Sequence, residues 1–137
     1  MKVTGACHCG FITLEGEADP DKVAICHCTD CQTGTGSAFR ISIPVPGNTM
    51  KMTGQPTTYV KTTADSGKPR VQTFCPKCGT PIYSTTEGSG VQPSYTVRVG
   101  ILHQRDQLAP KRQQWMRSAR PWTATMGALP KHEKQAT

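Results

Sequence analysis

The sequence is poor in aromatic residues and has no long apolar run. Aromatic residues make up 6% of the 137 residues and hydrophobic residues 35%, which is little for a chain of this size. No stretch approaches the roughly 20 apolar residues that a membrane span requires, and Met1–Ala6 lack the apolar run of a secretory signal. We therefore expect a soluble, cytoplasmic protein without a membrane partner, in which metal cross-links supplement side-chain packing.

Acidic residues are scarce too, and the basic excess is concentrated near the C-terminus. The chain has 16 Lys and Arg against 9 Asp and Glu, and eight of those basic residues but only two acids lie in residues 98–137. A basic surface attracts nucleic acid, but the sequence has no run of five basic residues and no helix-turn-helix or finger pattern. This favours a solvated basic surface that attracts anionic small molecules and argues against nucleic acid as a partner.

Turn-forming residues and short β-rich segments dominate the chain. It has 13 Gly and 11 Pro, and turns are predicted at residues 47–48, 54–56, 66–69 and 87–90. Between the turns lie short segments rich in Val, Ile, Tyr and Thr, which predict strands. The predicted strands are Phe11–Glu17, Ala38–Val45, Thr57–Thr62, Val71–Phe74, Pro81–Ser84 and Tyr95–Val99.

Helical periodicity is weak throughout the sequence. No segment longer than about ten residues shows it, although Lys111–Ser118 is compatible with a short helical turn. The length fits one domain. Together these features predict a mainly β, turn-rich antiparallel domain over residues 1–126, followed by a loose C-terminal tail over residues 127–137.

Seven cysteines form three clusters along the chain. An odd number of thiols fits disulfide pairing poorly, and in a reducing cytosol this density of thiols indicates metal ligation instead. Three thiols within six residues converge on one ion only if the backbone turns tightly around it. The clusters are Cys7 and Cys9, then Cys26, Cys28 and Cys31, then Cys75 and Cys78.

The spacing inside each cluster indicates which side chains are ligands. In an extended Cys-x-Cys segment both thiols point to one side, so His8 and His27 point to the other side and are not predicted to be ligands. Cys75 and Cys78 are followed by Gly79, which is the form of a zinc knuckle, where glycine permits the turn.

The grouping of the clusters is not fixed by spacing alone. The middle cluster supplies three ligands by itself, and adding the first pair to it gives five, whereas the first and last pairs together give four. This count favours two zinc ions per chain, a closed structural one and an open one that is able to do chemistry. The predicted groups are Cys7, Cys9, Cys75 and Cys78 for the closed zinc, and Cys26, Cys28 and Cys31, the candidate catalytic residues, for the open zinc.

Four motifs occur in an order that resembles a known family. They are Gly5-x-Cys7-His8-Cys9-Gly10, Cys26-His27-Cys28-x-x-Cys31 with Gly34 and Gly36 after it, Phe74-Cys75-x-x-Cys78-Gly79-Thr80-Pro81, and Val99-Gly100 before Pro121-Trp122. Over about residues 3–123 the sequence resembles the glutathione-dependent formaldehyde-activating enzyme family, whose domain is shared with centromere protein V. Gln32 stands where many relatives have a basic residue.

The resemblance implies a β-tent fold with a structural zinc and a reactive zinc on the two cysteine groups given above. It also implies a zinc-dependent carbon–sulfur lyase that joins glutathione to formaldehyde to give S-hydroxymethylglutathione, or catalyses the reverse. A small thiol, glutathione or similar, is the expected partner, because coordination favours the thiolate that attacks a carbonyl carbon. The alternative is a zinc-built binding module without catalysis, as the relationship to centromere protein V implies.

Five further residues each have two interpretations. Asp30, between two predicted ligands, either transfers a proton or caps a turn. Trp122 either walls the pocket or packs elsewhere. Arg40, Arg70 and Arg98 either bind the carboxylates of a glutathione-like ligand or lie on a solvated strand face.

Overall fold

The computed structural model describes residues 1–86 and 93–136, so the turn predicted at 87–90 lies outside the described residues. The strands are β1 (Lys2–Ala6), β2 (Thr13–Glu17), β3 (Ala24–Cys26), β4 (Arg40–Pro46), β5 (Lys51–Thr53), β6 (Thr57–Lys61), β7 (Arg70–Phe74), β8 (Pro81–Thr86), β9 (Ser94–Arg98) and β10 (Arg112–Gln114). The α-helix α1 spans Thr29–Thr35, and 3-10 segments cover Pro20–Lys22, Gly47–Thr49, Val99–Ile101, Arg105–Gln107, Met116–Ser118 and Pro121–Ala128.

The strands form two sheets. The small sheet has the order β1-β2-β5, and the large sheet has the order β10-β3-β4-β9-β8-β7-β6. Among the described strands β10 alone runs parallel to its neighbour, with Arg112 opposite Ala24 on β3. The prediction of a mainly β single domain is confirmed, and all six predicted strands are present, with ends that differ by one or two residues.

Sequence reasoning missed strand β1, which has five residues, helix α1, which has seven, and three shorter strands. Strands β3, β5 and β10 have three residues each, too few for alternation to be recognised. The helical turn suggested for Lys111–Ser118 is wrong in its first half. Lys111 N donates to Val23 O (2.9 Å), and the following residues pair with β3 as strand β10, because pairing at a sheet edge outweighs a weak helical pattern.

Apolar side chains of the two sheets meet between them. Val3 on β1, Leu14 on β2, and Ile43 and Val45 on β4 are at most 4% exposed, and burial of each such side chain stabilises the fold by about 1.5–3 kcal/mol. A Cβ built on Gly16 of β2 would lie 2.7 Å from Val45 Cγ1, so glycine allows the small sheet to approach β4 closely. The alternate residues of β4 therefore face the opposite side of the large sheet.

The C-terminal part is exposed along most of its length. Gly127–Ala136 are exposed, and Lys131 Nζ donates to Gly127 O (2.5 Å). The 3-10 segment Pro121–Ala128 crosses the predicted boundary at residue 126, and the division into a domain and a loose tail stays a prediction. Within residues 1–86 and 93–136 no helix has the length and apolar character needed to cross a membrane.

Candidate active site

The first thiol cluster joins two distant turns. Cys7 and Cys9 follow β1, whereas Cys75 and Cys78 lie between β7 and β8. Cys9 Sγ is 3.7 Å from Cys7 Sγ and 3.8 Å from Cys75 Sγ, close to the separation of about 3.8 Å that a tetrahedron of Zn–S bonds of about 2.3 Å requires. The backbone N–H of Ile12 donates to Cys7 Sγ (3.2 Å). These four donors therefore fit a closed zinc site.

Hydrogen bonds around the knuckle favour its thiolates. Lys77 N donates to Cys75 Sγ (3.4 Å), and Cys78 Sγ lies 3.1 Å from Thr80 Oγ1. The Thr80 hydroxyl is the main cause that lowers the pKa of the Cys78 thiol to about 5. Gly79 has a φ of +76°, a conformation in which glycine avoids steric cost, and its N–H closes the turn onto Cys75 O (2.9 Å).

The second thiol cluster is built from one strand end and one helix start. Cys26 ends β3, Cys28 is the N-cap of α1, and Cys31 lies in the first turn. As N-cap, Cys28 accepts a hydrogen bond at Sγ from Cys31 N (3.3 Å), in place of the usual Ser, Thr or Asp oxygen. The three Sγ atoms lie within 4.8 Å of one another, and no fourth His, Cys, Asp or Glu donor of the described residues joins them. The donor set fits a zinc with one free position.

This cluster concentrates negative charge on one sulfur. A hydrogen bond from Cys31 is the main cause that lowers the pKa of Cys26 to about 5, and the Arg40 charge lowers it further. The same contact, together with burial, raises the pKa of Cys31. Arg40 is the cross-strand partner of Cys26 in the β3–β4 ladder. The Cys31 contact and the Arg40 guanidinium therefore both favour the thiolate form of Cys26.

Neither histidine belongs to a cluster. His27 is 1% exposed, its Nε2 lies 2.8 Å from Gln113 Oε1, and its ring packs against Phe39 at 5.4 Å between centroids. His8 is exposed. The alternation argument that excluded both from ligation agrees with the donor groups in the structure.

A cavity of about 690 Å³ lies over the second thiol cluster. All three of its thiols line this cavity, whereas none of the four thiols of the first cluster does. Alternate residues of neighbouring strands of the large sheet form its wall, and they are polar. They include Arg40 and Ser42 on β4, Arg98 on β9, Ser84 on β8, and Arg70 and Gln72 on β7.

Arg98 lies deepest in this wall. It is 7% exposed, and its Nη2 donates to Gln72 Oε1 (2.8 Å) while Nη1 donates to Thr96 O (3.2 Å) and to Ser84 Oγ (3.4 Å). Its Nε is buried and has no hydrogen-bond partner among the described residues. Burial, and then the Arg40 charge, lower the pKa of Arg98 to about 9, because a second cation nearby and loss of solvent both disfavour the charged form.

Arg70 and Arg40 complete a layer of three guanidinium groups. Arg70 donates to Thr86 Oγ1 (2.7 Å) and Ser84 Oγ (3.0 Å). Arg40 Nε is buried and has no hydrogen-bond partner in the part of the chain that the structure describes. A Cβ built on Gly34 would lie 2.7 Å from Arg40 Nη2. Glycine at this helix position therefore leaves room for the guanidinium. In the described structure no carboxylate lies within ion-pair distance of these arginines.

The profile of the family described as glutathione-dependent formaldehyde-activating enzyme matches residues 2–118, which is most of the chain. The chain belongs to the glutathione-dependent formaldehyde-activating enzyme family. No match was found among curated proteins.

The solved structures support the fold of this family member. The crystal structure of a Rhodobacter sphaeroides protein, determined as a structural genomics target, matches with a TM-score of 0.59 and 21% sequence identity. The match covers 81% of this chain and 99% of that one. At this identity the likeness shows a shared fold.

In this family member Asp30 is a tether between elements. Its carboxylate accepts hydrogen bonds from Thr63 Oγ1 (2.7 Å) and Lys61 Nζ (3.0 Å), and these two contacts lower the pKa of the carboxyl group. They join α1 to β6 and to the residues after it. The proposed turn cap is not observed, because the helix is capped by Cys28.

The tryptophan at the cavity is Trp115. It lines the cavity, whereas Trp122 is absent from the lining and is 57% exposed. Trp115 has a φ of +60°, an uncommon conformation for a residue other than glycine. The Arg117 guanidinium lies 5.6 Å from the centroid of its ring. The pocket-wall interpretation therefore applies to Trp115, and Trp122 neither walls this cavity nor is buried.

Gln32 holds the rim of the cavity in place. Its Nε2 donates to His27 O (2.8 Å) and to Ser118 O (3.0 Å), which links α1 to the segment Trp115–Ser118. Sequence reasoning noted Gln32 only because many relatives have a basic residue there. Because amide and basic side chains both donate hydrogen bonds to carbonyl groups, a role as a hydrogen-bond donor could have been predicted for Gln32.

Several polar wall residues were not singled out from the sequence. Ser42, Gln72, Ser84 and Thr96 line the cavity; the first three accept hydrogen bonds from the buried Arg98, and Thr96 accepts one from the half-buried Arg70. The signal in the sequence was spacing. On β4, β7 and β9 the polar residue lies two positions from an arginine, so the two side chains share one face of the strand. Alternation shows that these residues share a face, and the cavity follows only from how the sheet curls.

Proposed function

We propose that this chain is a zinc-dependent enzyme of the carbon–sulfur lyase type, which joins a small thiol to an aldehyde. Glutathione and formaldehyde are the first candidates, and S-hydroxymethylglutathione is the adduct. The observation that supports this proposal is the position of the three-thiol cluster. It lies in the wall of a cavity that the four-thiol cluster does not reach.

Two zinc ions have different roles in this proposal. Cys7, Cys9, Cys75 and Cys78 hold a structural zinc, and Cys26, Cys28 and Cys31 hold the reactive one. Zinc bound by the three thiols would supply a Lewis-acidic position that favours the thiolate form of an entering thiol. The cytoplasm is the proposed compartment, because its reducing conditions keep all the ligand thiols available.

The side chains of the cavity bind and orient the substrate. Arg40, Arg70 and Arg98 attract its negatively charged groups, and Trp115 covers one side of the opening. In the reaction the thiolate sulfur forms a bond to the aldehyde carbon, and the aldehyde oxygen takes up a proton in exchange for the one that the thiol released. The reverse reaction breaks the carbon–sulfur bond. No oxidant or reductant is required.

Exchange NMR of glutathione and formaldehyde tests this function. We expect the zinc-loaded protein to accelerate interconversion of free glutathione and its hydroxymethyl adduct above the spontaneous rate, and Cys31→Ser to abolish the acceleration. Thr33→Ser, an exposed change on the same helix, is the matched control and keeps the wild-type rate. Calorimetry adds a second readout, in which glutathione binds and S-methylglutathione, whose sulfur cannot become a thiolate, binds more weakly.

The outcomes separate the two function classes. Equal binding of both compounds would argue against contact between sulfur and the metal. Thiol binding without faster exchange would support the non-catalytic zinc-built binding module and contradict the enzyme proposal.

A further inference from the structure

We propose that Arg40, Arg70 and Arg98 form a subsite for a doubly charged, phosphate-type oxyanion beside the three-thiol cluster. The anion site itself stands on the arginines alone. Its use as the handle of a thiol substrate deepens, and rests on, the proposed function. A thiol substrate of this kind carries a phosphate or phosphonate group close to its reacting sulfur, and it would take the place of glutathione, whose negative charges are carboxylates.

The first argument is the lack of neutralising partners. The side chains bonded to Arg70 and Arg98 are hydroxyl and amide groups, which orient a guanidinium without cancelling its charge. The carboxylate of Asp30, which also lines the cavity, is bonded to Lys61 and Thr63. A buried charge is costly unless an opposite charge accompanies it. Three cations on one polar wall therefore indicate an anionic ligand.

The second argument is the presence of donors without acceptors. The Nε atoms of Arg40 and Arg98 are buried and have no hydrogen-bond partner in the described structure. Arg98 is more than nine-tenths buried and lines the cavity. A buried donor left unpaired costs about 1–3 kcal/mol, so an acceptor entering the cavity would relieve this cost.

The third argument concerns the amount of charge and its shape. Besides the thiols, the charged side chains that line the cavity are seven basic and two acidic ones, an excess of five positive charges; they are Lys22, Arg40, Lys61, Arg70, Arg98, Arg112 and Arg117 against Asp30 and Asp65. One carboxylate is satisfied by one guanidinium fork, whereas a phosphate-type group presents three acceptor oxygens to donors from several directions. Arginines on three different strands, β4, β7 and β9, suit the second geometry.

The neighbouring residues are consistent with a built site. Gly34 leaves space for Arg40, and Ser84 accepts hydrogen bonds from both Arg70 and Arg98. The hydroxyl of one residue thus fixes two guanidinium groups relative to each other. Preorganised cations of this kind bind anions without further ordering of the side chains.

Matched small anions test the proposal on the full chain. Methylphosphonate and methanesulfonate have the same shape but differ in charge when the phosphonate is fully ionised, and succinate presents two carboxylates. At constant ionic strength we expect calorimetric binding and an increase in Tm with methylphosphonate, and binding at least about tenfold weaker with methanesulfonate. Equal affinity for these two anions, or tighter binding of succinate, would overturn the assignment of a doubly charged phosphate-type ligand.

Variants locate the site. Arg40→Gln removes a charge from a side chain that has no hydrogen-bond partner among the described residues, and we expect methylphosphonate binding to weaken at least about tenfold. Arg105→Gln makes the same change at an exposed arginine outside the cavity and leaves binding unchanged. Unchanged binding in Arg40→Gln contradicts the proposal. Arg70→Gln is a second variant with the same expectation if Arg40→Gln does not fold.

A last experiment distinguishes binding of the anion to the arginines from binding to the zinc. Phosphonates also coordinate zinc, so methylphosphonate is titrated into Cys31→Ser, with zinc content measured in the same sample. Binding retained with the open-site zinc absent supports the arginine subsite even where the thiol–aldehyde activity proves absent. Binding lost together with that zinc assigns the anion to the metal and overturns the subsite.

Discussion

The two thiol clusters have the same donor atom and occupy very different positions in the fold. One brings together turns whose nearest cysteines, Cys9 and Cys75, are 66 residues apart, and it borders no part of the main cavity. The other lies within one strand end and the helix that follows, and all its thiols face that cavity. Sequence separation and access to a cavity, rather than ligand chemistry, are therefore the observations from which we propose a structural role for the first cluster and substrate binding for the second.

The largest expected effect is that of breaking the four-thiol cluster. Cys78→Ser removes one of the four ligands of the proposed structural zinc, which would connect the small sheet to the β7–β8 turn, and we expect insoluble or unfolded protein. Structural zinc contributes on the order of 10 kcal/mol, against a total domain stability of about 5–15 kcal/mol. Lys77→Ser in the same turn is the control and stays folded. Solubility, circular dichroism and thermal melting provide the measurement, and a cooperative melt of Cys78→Ser near the wild-type Tm contradicts the structural role.

The corresponding change in the three-thiol cluster has a smaller effect on the fold. Cys31→Ser is expected to stay folded, because the three thiols of this cluster lie within six consecutive residues and connect no distant parts of the chain. Metal analysis should find about two zinc ions in the wild type and about one in the variant, since each of the two thiol clusters is proposed to bind one ion. If Cys31→Ser unfolds as fully as Cys78→Ser, the comparison between a structural and a reactive site is wrong.

The next largest effect on stability is expected from loss of the Gln32 hydrogen bonds at the cavity rim. Gln32→Ala leaves the carbonyl groups of His27 and Ser118 without this donor, and we expect a loss of about 1–3 kcal/mol in the free energy of unfolding. Gln55→Ala, at an exposed position, is the matched control with no measurable loss. Denaturant unfolding compares the two, and hydrogen exchange of residues 115–118 should rise in Gln32→Ala alone. Equal stabilities would show that the rim is held by other contacts.

The smallest expected effects come from one glycine in each region. Gly36 ends α1 with a φ of +67°, Gly79 closes the knuckle with a φ of +76°, and a Cβ at either position meets no atom within 4 Å. Alanine at each should therefore cost only backbone strain, about 1 kcal/mol, with zinc content unchanged. Gly100→Ala has the same free space without a positive φ in that range and should be neutral. A much larger loss at Gly79 would show that the knuckle turn is coupled to metal binding.

Much of the fold was predictable because its signals are local. Strands such as β4 and β9 alternate over five or more residues, and the spacing of Cys75, Cys78 and Gly79 specifies a knuckle without knowledge of the rest. The division of seven thiols into four and three matches the two donor groups in the structure. Both results depend on residues near one another in the chain or on simple counting.

The cavity could not be predicted because it depends on long-range curvature. The spacing of Arg40, Arg70 and Arg98 shows only that each shares a strand face with other polar residues, which is equally true of a solvated surface. Their burial depends on how β4, β7 and β9 are ordered in the large sheet. Helix α1 was missed for a different reason. Its seven residues are mostly polar and form no apolar stripe, so they give no periodic signal.

The ion pair between Lys61 and Asp30 (3.0 Å) has a mechanical consequence. Lys61 belongs to β6 at one margin of the large sheet, whereas α1 follows β3 near the other margin. The large sheet therefore curves so that its two margins approach each other, and this ion pair and the hydrogen bond from Thr63 Oγ1 to Asp30 (2.7 Å) join them. Because the ion pair is partly exposed and is screened by salt, we expect the spacing of the two margins to respond to ionic strength. Lys61 and Asp30 also line the cavity, so a substitution at this pair changes the lining of the cavity together with its width.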